Sequence, residues 1–188
     1  GLDLWPTGGI AHEIGPQWVS HLDREMKGVR LSTPDGVYRS HWQPLVDSDA
    51  SMMYGNNWRK VGKNKFLSTS FPRGYSNLDR YLMGVLPASD VKPITVINAT
   101  DQNIRKHYAT PGNSARGERV TITMSDIQET YGARVPDYQA SQKAFRAGFI
   151  MVVPKGDSAK RRPSGIVDYL RRAIAGKMKR ATGKKMIF

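Results

Sequence analysis

Four turn signals, "TPDG", "YGNN", "VGKN" and "FPRG", punctuate the chain between Leu31 and Tyr75. Each combines glycine, proline or asparagine, the residues that fix or tolerate unusual backbone angles. No helix of ordinary length survives that spacing. This stretch therefore has to be loops and short strands, and "KFLSTSF" is its best strand candidate.

Outside it the periodicity changes. Ile10, Ile14, Trp18 and Leu22 form an i, i+4 stripe that predicts a helix over residues 10–26. Pro16 interrupts it by removing an N–H and pushing Gly15 away from the α region, so the helix either kinks there or stops near Ile14 and restarts with Pro16 in its first turn. "SNLDRYLMGVL" predicts a second helix capped by Ser76, and "PITVIN" and "ERVTITM" read as strands by their β-branched content. "SDIQ" at Ser125–Gln128 has capping-box form, for a short helix ending near Tyr131. "AFRAGFIMVVP" reads as a further, buried strand. "PSGIVDYLRRAIAGKMKRATG" reads as a helix capped by Ser164, with Ile166, Leu170, Ile174 and Met178 on its apolar side and Arg171, Arg172, Lys179 and Arg180 largely off it. The closing "KKMIF" is expected to fray. The fold class is α+β.

Residues 1–154 hold 18 lysines and arginines against 14 acids, whereas residues 155–188 hold 11 against 2. The excess of a chain with net charge +13 is thus a C-terminal property. It divides the chain into a domain over 1–154 and a basic helix and tail over 155–188, which suits an anionic partner: nucleic acid, acidic lipid or cell-wall polymer. Against sequence-specific nucleic-acid binding, there is no zinc-finger, aromatic RNP or GXXG motif. No run of about 18 apolar residues exists, so no transmembrane segment is expected, and the start lacks the basic and apolar regions of a signal peptide. Cysteine is absent, so any metal has to be held by His, Asp or Glu, and the only histidines are His12, His21, His41 and His107.

Chemistry points to "AHEIGPQWVSHL". In a His-Glu-x-x-His helix, two imidazoles four residues apart grip one zinc ion while the Glu polarises its water. Here His12 and Glu13 are present but Pro16 stands at the fourth position. His21, nine residues from His12 at about 100° each, faces the opposite side of an unbroken helix. "DSDAS" at Asp47–Ser51 lacks the downstream acid of a calcium loop and reads as an Asx turn. "NAT" at Asn98 has the form of a glycosylation acceptor.

"HEIGPQW" resembles the "HEhGHxW" form of zincin metallopeptidases, where h is apolar. "SHWQPLVDSDASMMYGNNW", "YSNLDRYLMGVLP", "ARGERVTITMSDI" and "RVPDYQASQKAFRAGFIMVV" are similar, in the same order, to segments of a poorly characterised group of bacterial zincin-like proteins. The resemblance covers most of residues 8–154. It implies a zincin-like fold with a metal-site helix, short mixed or antiparallel strands and, beyond them, the basic C-terminal helix. It also implies zinc as cofactor, a peptide or protein substrate, and a secreted or extracytoplasmic setting. His12 matches the first ligand and Glu13 the general base; His41 and Asp79 are the alternatives for a further ligand. Two departures stand out, Pro16 in place of the second histidine and the lack of the usual sheet upstream of the metal helix. The competing expectation is a non-catalytic zincin-like scaffold that binds an anionic partner through its basic C-terminus.

Overall fold

Gly15 and Pro16 end the first helix. In the computed structural model, which describes residues 9–32, 40–99, 110–156 and 161–188, helix α1 spans only Gly9–Ile14 and runs into a 3-10 turn at Gly15–Gln17. No α-helix restarts after Pro16, and residues 18–25 are irregular. The break is fixed by packing as well as by proline. Gly15 is buried so tightly against Met53 and Tyr75 that a Cβ there would overlap the Met53 sulfur. Stopping the helix still leaves Val19 and Leu22 in the core.

The sheet has six strands in the order β2-β1-β5-β6-β4-β3. They are β1 (Trp42–Asp47), β2 (Tyr54–Asn56), β3 (Trp58–Gly62), β4 (Lys65–Ser68), β5 (Ile94–Ala99) and β6 (Ser114–Ile122). The pair β1–β2 is parallel and every other pair antiparallel. The longest ladder joins β5 and β6, from Ile94 opposite Ile122 to Ala99 opposite Gly117. With its helices this is an α+β chain. "PITVIN", "ERVTITM" and "KFLS" form strands as their side chains predict, while β1, β2 and β3 lie in the turn-rich stretch. "TPDG" and His107 fall outside the described residues.

Helix α2 (Asn77–Leu82) starts at Ser76 in a reciprocal capping box with Asp79. Helix α3 (Met124–Tyr131) ends before Gly132 as expected, but its cap is Thr123 paired with Asp126, two residues earlier than the "SDIQ" pattern suggested. Asp126 also takes an ion pair from Lys27 at 2.7 Å, which ties the segment after α1 to α3.

The C-terminal third departs most from expectation. Helix α4 spans Arg161–Ala181, starting before Ser164. Ile174, Met178 and Ala181 enter the same core as Ala11, Met53 and Tyr75, so α4 is an integral part of the body. Successive i+4 steps drift about 40° around a helix. The predicted stripe therefore turns out of the core at its start, and Ile166 is exposed. The terminal residues do not fray: Met186 is fully buried, Ile187 exchanges backbone hydrogen bonds with Lys143 and Phe145, and Phe188 stacks on Phe145. "FIMVV", expected to be a buried strand, joins no sheet, and Ile150 and Val152 are almost fully exposed. Among the described residues no helix is long and apolar enough to cross a membrane.

Candidate functional site

The break after Ile14 leaves His12 near the end of α1, where two other segments reach it. His41 immediately precedes β1, and Tyr54 opens β2, the strand paired in parallel with β1 through Trp42 and Tyr54. The three rings gather in a triangle, with the His12 and His41 centroids 4.9 Å apart at 25°. His41 lies 4.2 Å from Tyr54 between centroids at 22°, and His12 lies 5.1 Å from Tyr54 at 38°. Ser40 and Tyr54 both take left-handed backbone angles, with φ of 72° each. That conformation costs a bulky, non-glycine residue free energy and concentrates at functional sites. Gly55 continues the same turn at φ 73°, where a Cβ would run into Ser48.

His12 and His41 meet through their Nε2 atoms, 3.0 Å apart, and both rings are half-buried. Behind His12, its Nδ1 lies 2.6 Å from the Met52 carbonyl oxygen. A carbonyl only accepts, so Nδ1 carries the proton and the Nε2 lone pair of a neutral His12 faces His41. Three arrangements satisfy the short separation: a proton on His41 Nε2 donated to His12, a proton on His12 Nε2 donated to His41, or a cation taking both lone pairs. Two nitrogens bound at about 2.0–2.1 Å to a tetrahedral zinc ion are about 3.3 Å apart, within a few tenths of the observed separation. An imidazole held from behind by a carbonyl is also the usual setting of a metal-binding histidine. The pair thus fits the first two positions of an imidazole metal site.

Asp79 stands elsewhere. It is fully buried, and its oxygens accept from Trp42 Nε1 at 2.7 Å, Ser51 Oγ at 2.6 Å and the Ser76 backbone N–H at 2.6 Å. Burial raises its pKa, against the pull of these donors. Its place is behind the histidines: Trp42 follows His41, and Ser51, which also receives a hydrogen bond from the Met53 N–H, precedes the Met52 carbonyl. Asp79 therefore clamps together the two segments that carry His41 and the Met52–Tyr54 turn. Tyr75 locks α1 from the other side by donating its hydroxyl to the Ala11 carbonyl.

Glu13 is exposed on α1 beside His12. His21 is held apart from the pair, with Nε2 2.7 Å from the Pro16 carbonyl. Among the described residues, no group of three or more His, Cys, Asp or Glu gathers in a way that could hold a metal. The "DSDAS" loop is the expected Asx turn, in which the Asp49 N–H reaches Asp47 Oδ1 at 3.4 Å. Sequence reasoning missed Tyr54 and the Met52 carbonyl. Only the "YGNN" turn signal hinted at the first, and a backbone acceptor leaves no trace in composition.

Comparison with known protein families, curated proteins and solved structures finds no match for this chain.

Proposed function

We propose that this chain is a zinc-dependent, peptidase-type hydrolase of zincin-like descent working with a reduced ligand set. The observation that carries the reading is the His12–His41 pair, with facing Nε2 atoms 3.0 Å apart and His12 backed by the Met52 carbonyl. His41 takes the place that Pro16 denies to the helix motif. Such a pair is assembled from α1 and the approach to β1, where a regular zincin takes its first two ligands from one helix. Asp79 is a positioning residue here, because its oxygens are committed to Trp42, Ser51 and Ser76.

Zinc, when bound, polarises a carbonyl and acidifies water. The chain's own residues do the rest. The imidazole pair fixes the position of the centre, Tyr54 covers the pair with its ring, and the exposed Glu13 carboxylate is the proton acceptor nearest in sequence to His12. The substrate class that follows is a peptide or protein, and the extracytoplasmic setting belongs to the same proposal.

The test is zinc content of the purified protein, measured by plasma mass spectrometry after zinc is supplied and excess removed. Near-stoichiometric zinc is expected, with affinity lower by about a hundredfold or more in His12→Ala and in His41→Ala. Glu13→Gln should keep the zinc while losing about a hundredfold or more of peptide hydrolysis. A wild-type protein that retains no zinc sinks the proposal. So does a Glu13→Gln variant of unchanged activity.

A further inference from the structure

The exposed face of α4 carries both cations and large apolar side chains. At about 100° per residue, Ile166, Tyr169, Arg172, Lys179 and Arg180 fall within one arc of about 140°. That arc lies opposite Ile174, Met178 and Ala181, which fix the helix to the core. Ile166 and Tyr169 are each 50% exposed, and Arg172, Lys179 and Arg180 lie open to solvent beside them. Asp168 is the one acid of the helix, and it bridges Arg171 and Arg172 at its N-terminal end.

A second stretch shows the same combination. In the irregular segment 149–153, Phe149 packs against the core while Ile150 and Val152 stand out at 90% and 88% exposure. Exposed Arg146 and Lys155 flank it. Ile150, Val152, Ile166 and Tyr169 thus set exposed apolar area beside these cations.

We propose that α4, with the segment 149–153, docks the protein onto an acidic lipid bilayer. Charge complementarity selects the occupant: the region of net +9 from Lys155 to Phe188 attracts an anionic surface. The bare isoleucines, valine and tyrosine then favour a lipid headgroup boundary over a hydrated polyanion, because only the bilayer offers them an apolar phase. A tyrosine on that face suits the boundary, with its ring in the apolar layer and its hydroxyl in water.

The experiment is co-sedimentation of the full chain with phosphatidylcholine vesicles, and with vesicles in which about one-third of the lipid is phosphatidylglycerol. Binding to the acidic vesicles is expected to exceed binding to neutral ones by about tenfold or more. Lys179→Glu with Arg180→Glu should remove about tenfold or more of it. Ile166→Ser with Tyr169→Ser, and separately Ile150→Ser with Val152→Ser, should each weaken it by roughly fivefold or more. These side chains are exposed, and unchanged thermal unfolding of each variant will show that the fold is kept. Equal binding to neutral and acidic vesicles overturns the proposal. Serine variants that bind acidic vesicles as well as the parent also overturn it, since they would leave a purely electrostatic polyanion surface.

Discussion

Two carboxyl groups at the ends of one short loop are handled in opposite ways. Asp47 closes β1 and Asp79 receives the Ser51 hydroxyl at the far end of Ser48–Ser51, and burial raises the pKa of both. Asp79 is sealed, with three donors on its two oxygens, one of them the indole of a Trp42 that is itself buried. Asp47 is half-buried at the rim of a cavity of about 220 Å³ that Asn77 and Arg119 also line. Its donors are two backbone N–H groups, of Asp49 in the long Asx bond and of Trp58, and burial outweighs them to raise its pKa to about 6. Burial alone therefore does not make a carboxylate structural. What separates the two is the setting of their donors: Asp79 gathers an indole, a hydroxyl and a backbone N–H in a sealed site, whereas Asp47 has two backbone N–H groups at an open rim.

The largest test of that difference is Asp79→Ala. It strands the Trp42 N–H, the Ser51 hydroxyl and the Ser76 N–H in the core, and it removes half of the α2 capping box. At about 1–3 kcal/mol per buried unsatisfied group, and allowing for non-additivity, the loss is about 4 kcal/mol or more in urea unfolding. On the proposed function, zinc affinity falls with it, because His41 and the Met52 carbonyl hang from the same clamp. A loss below about 1 kcal/mol would mean that Asp79 is no keystone.

Trp42→Phe breaks the comparison more gently. It keeps an aromatic ring in the core but takes away one of the three donors, for an expected loss of about 1–3 kcal/mol. Made together with Asp79→Ala, the two losses should fall short of their sum, since the second change removes a partner already missing. A double mutant cycle that is additive within about 0.3–0.5 kcal/mol would show that the indole acts by bulk alone.

Local signals carried the parts of this fold that local chemistry decides. Ser76 caps α2, Gly132 ends α3, and "PITVIN" pairs with "ERVTITM" because each choice is settled within a few residues. What escaped is settled at long range. Strand β1 contains Pro44, an unlikely strand residue, whose carbonyl accepts from the side chains of Asn56 and Trp58 in the neighbouring turn-rich segment. "FIMVV" has strand composition but no neighbour to pair with, and "KKMIF" is pinned by Lys143 and Phe145, some 40 residues earlier in the chain. The site divides in the same way. His12 and Glu13 stood out as a motif, whereas the 29-residue separation of His12 and His41 has no periodicity to reveal that they meet. Asp79 drew notice only through the resemblance to zincins; what buries it is that a carboxylate in an apolar helix needs partners, which the helix cap, the indole and the hydroxyl supply.

The smallest expected effect sharpens the contrast from the other side. Asp47 has a folded-state pKa of about 6 against an ordinary value of 3.8. The folded chain therefore holds a proton that the unfolded chain releases between those limits. Its contribution to stability is present in full below the lower value and is lost as pH rises through the upper one. Asp47→Asn removes that loss while keeping an oxygen for the Asp49 N–H. At pH 7 the variant should unfold about 2–4 °C above the parent, and the gap should close only below about pH 3, where both side chains are neutral in either state. A variant no more stable than the parent at pH 7 would show that the Asp49 and Trp58 N–H groups already offset the burial. Asp47 would then belong with Asp79, as a carboxylate the fold has fully equipped.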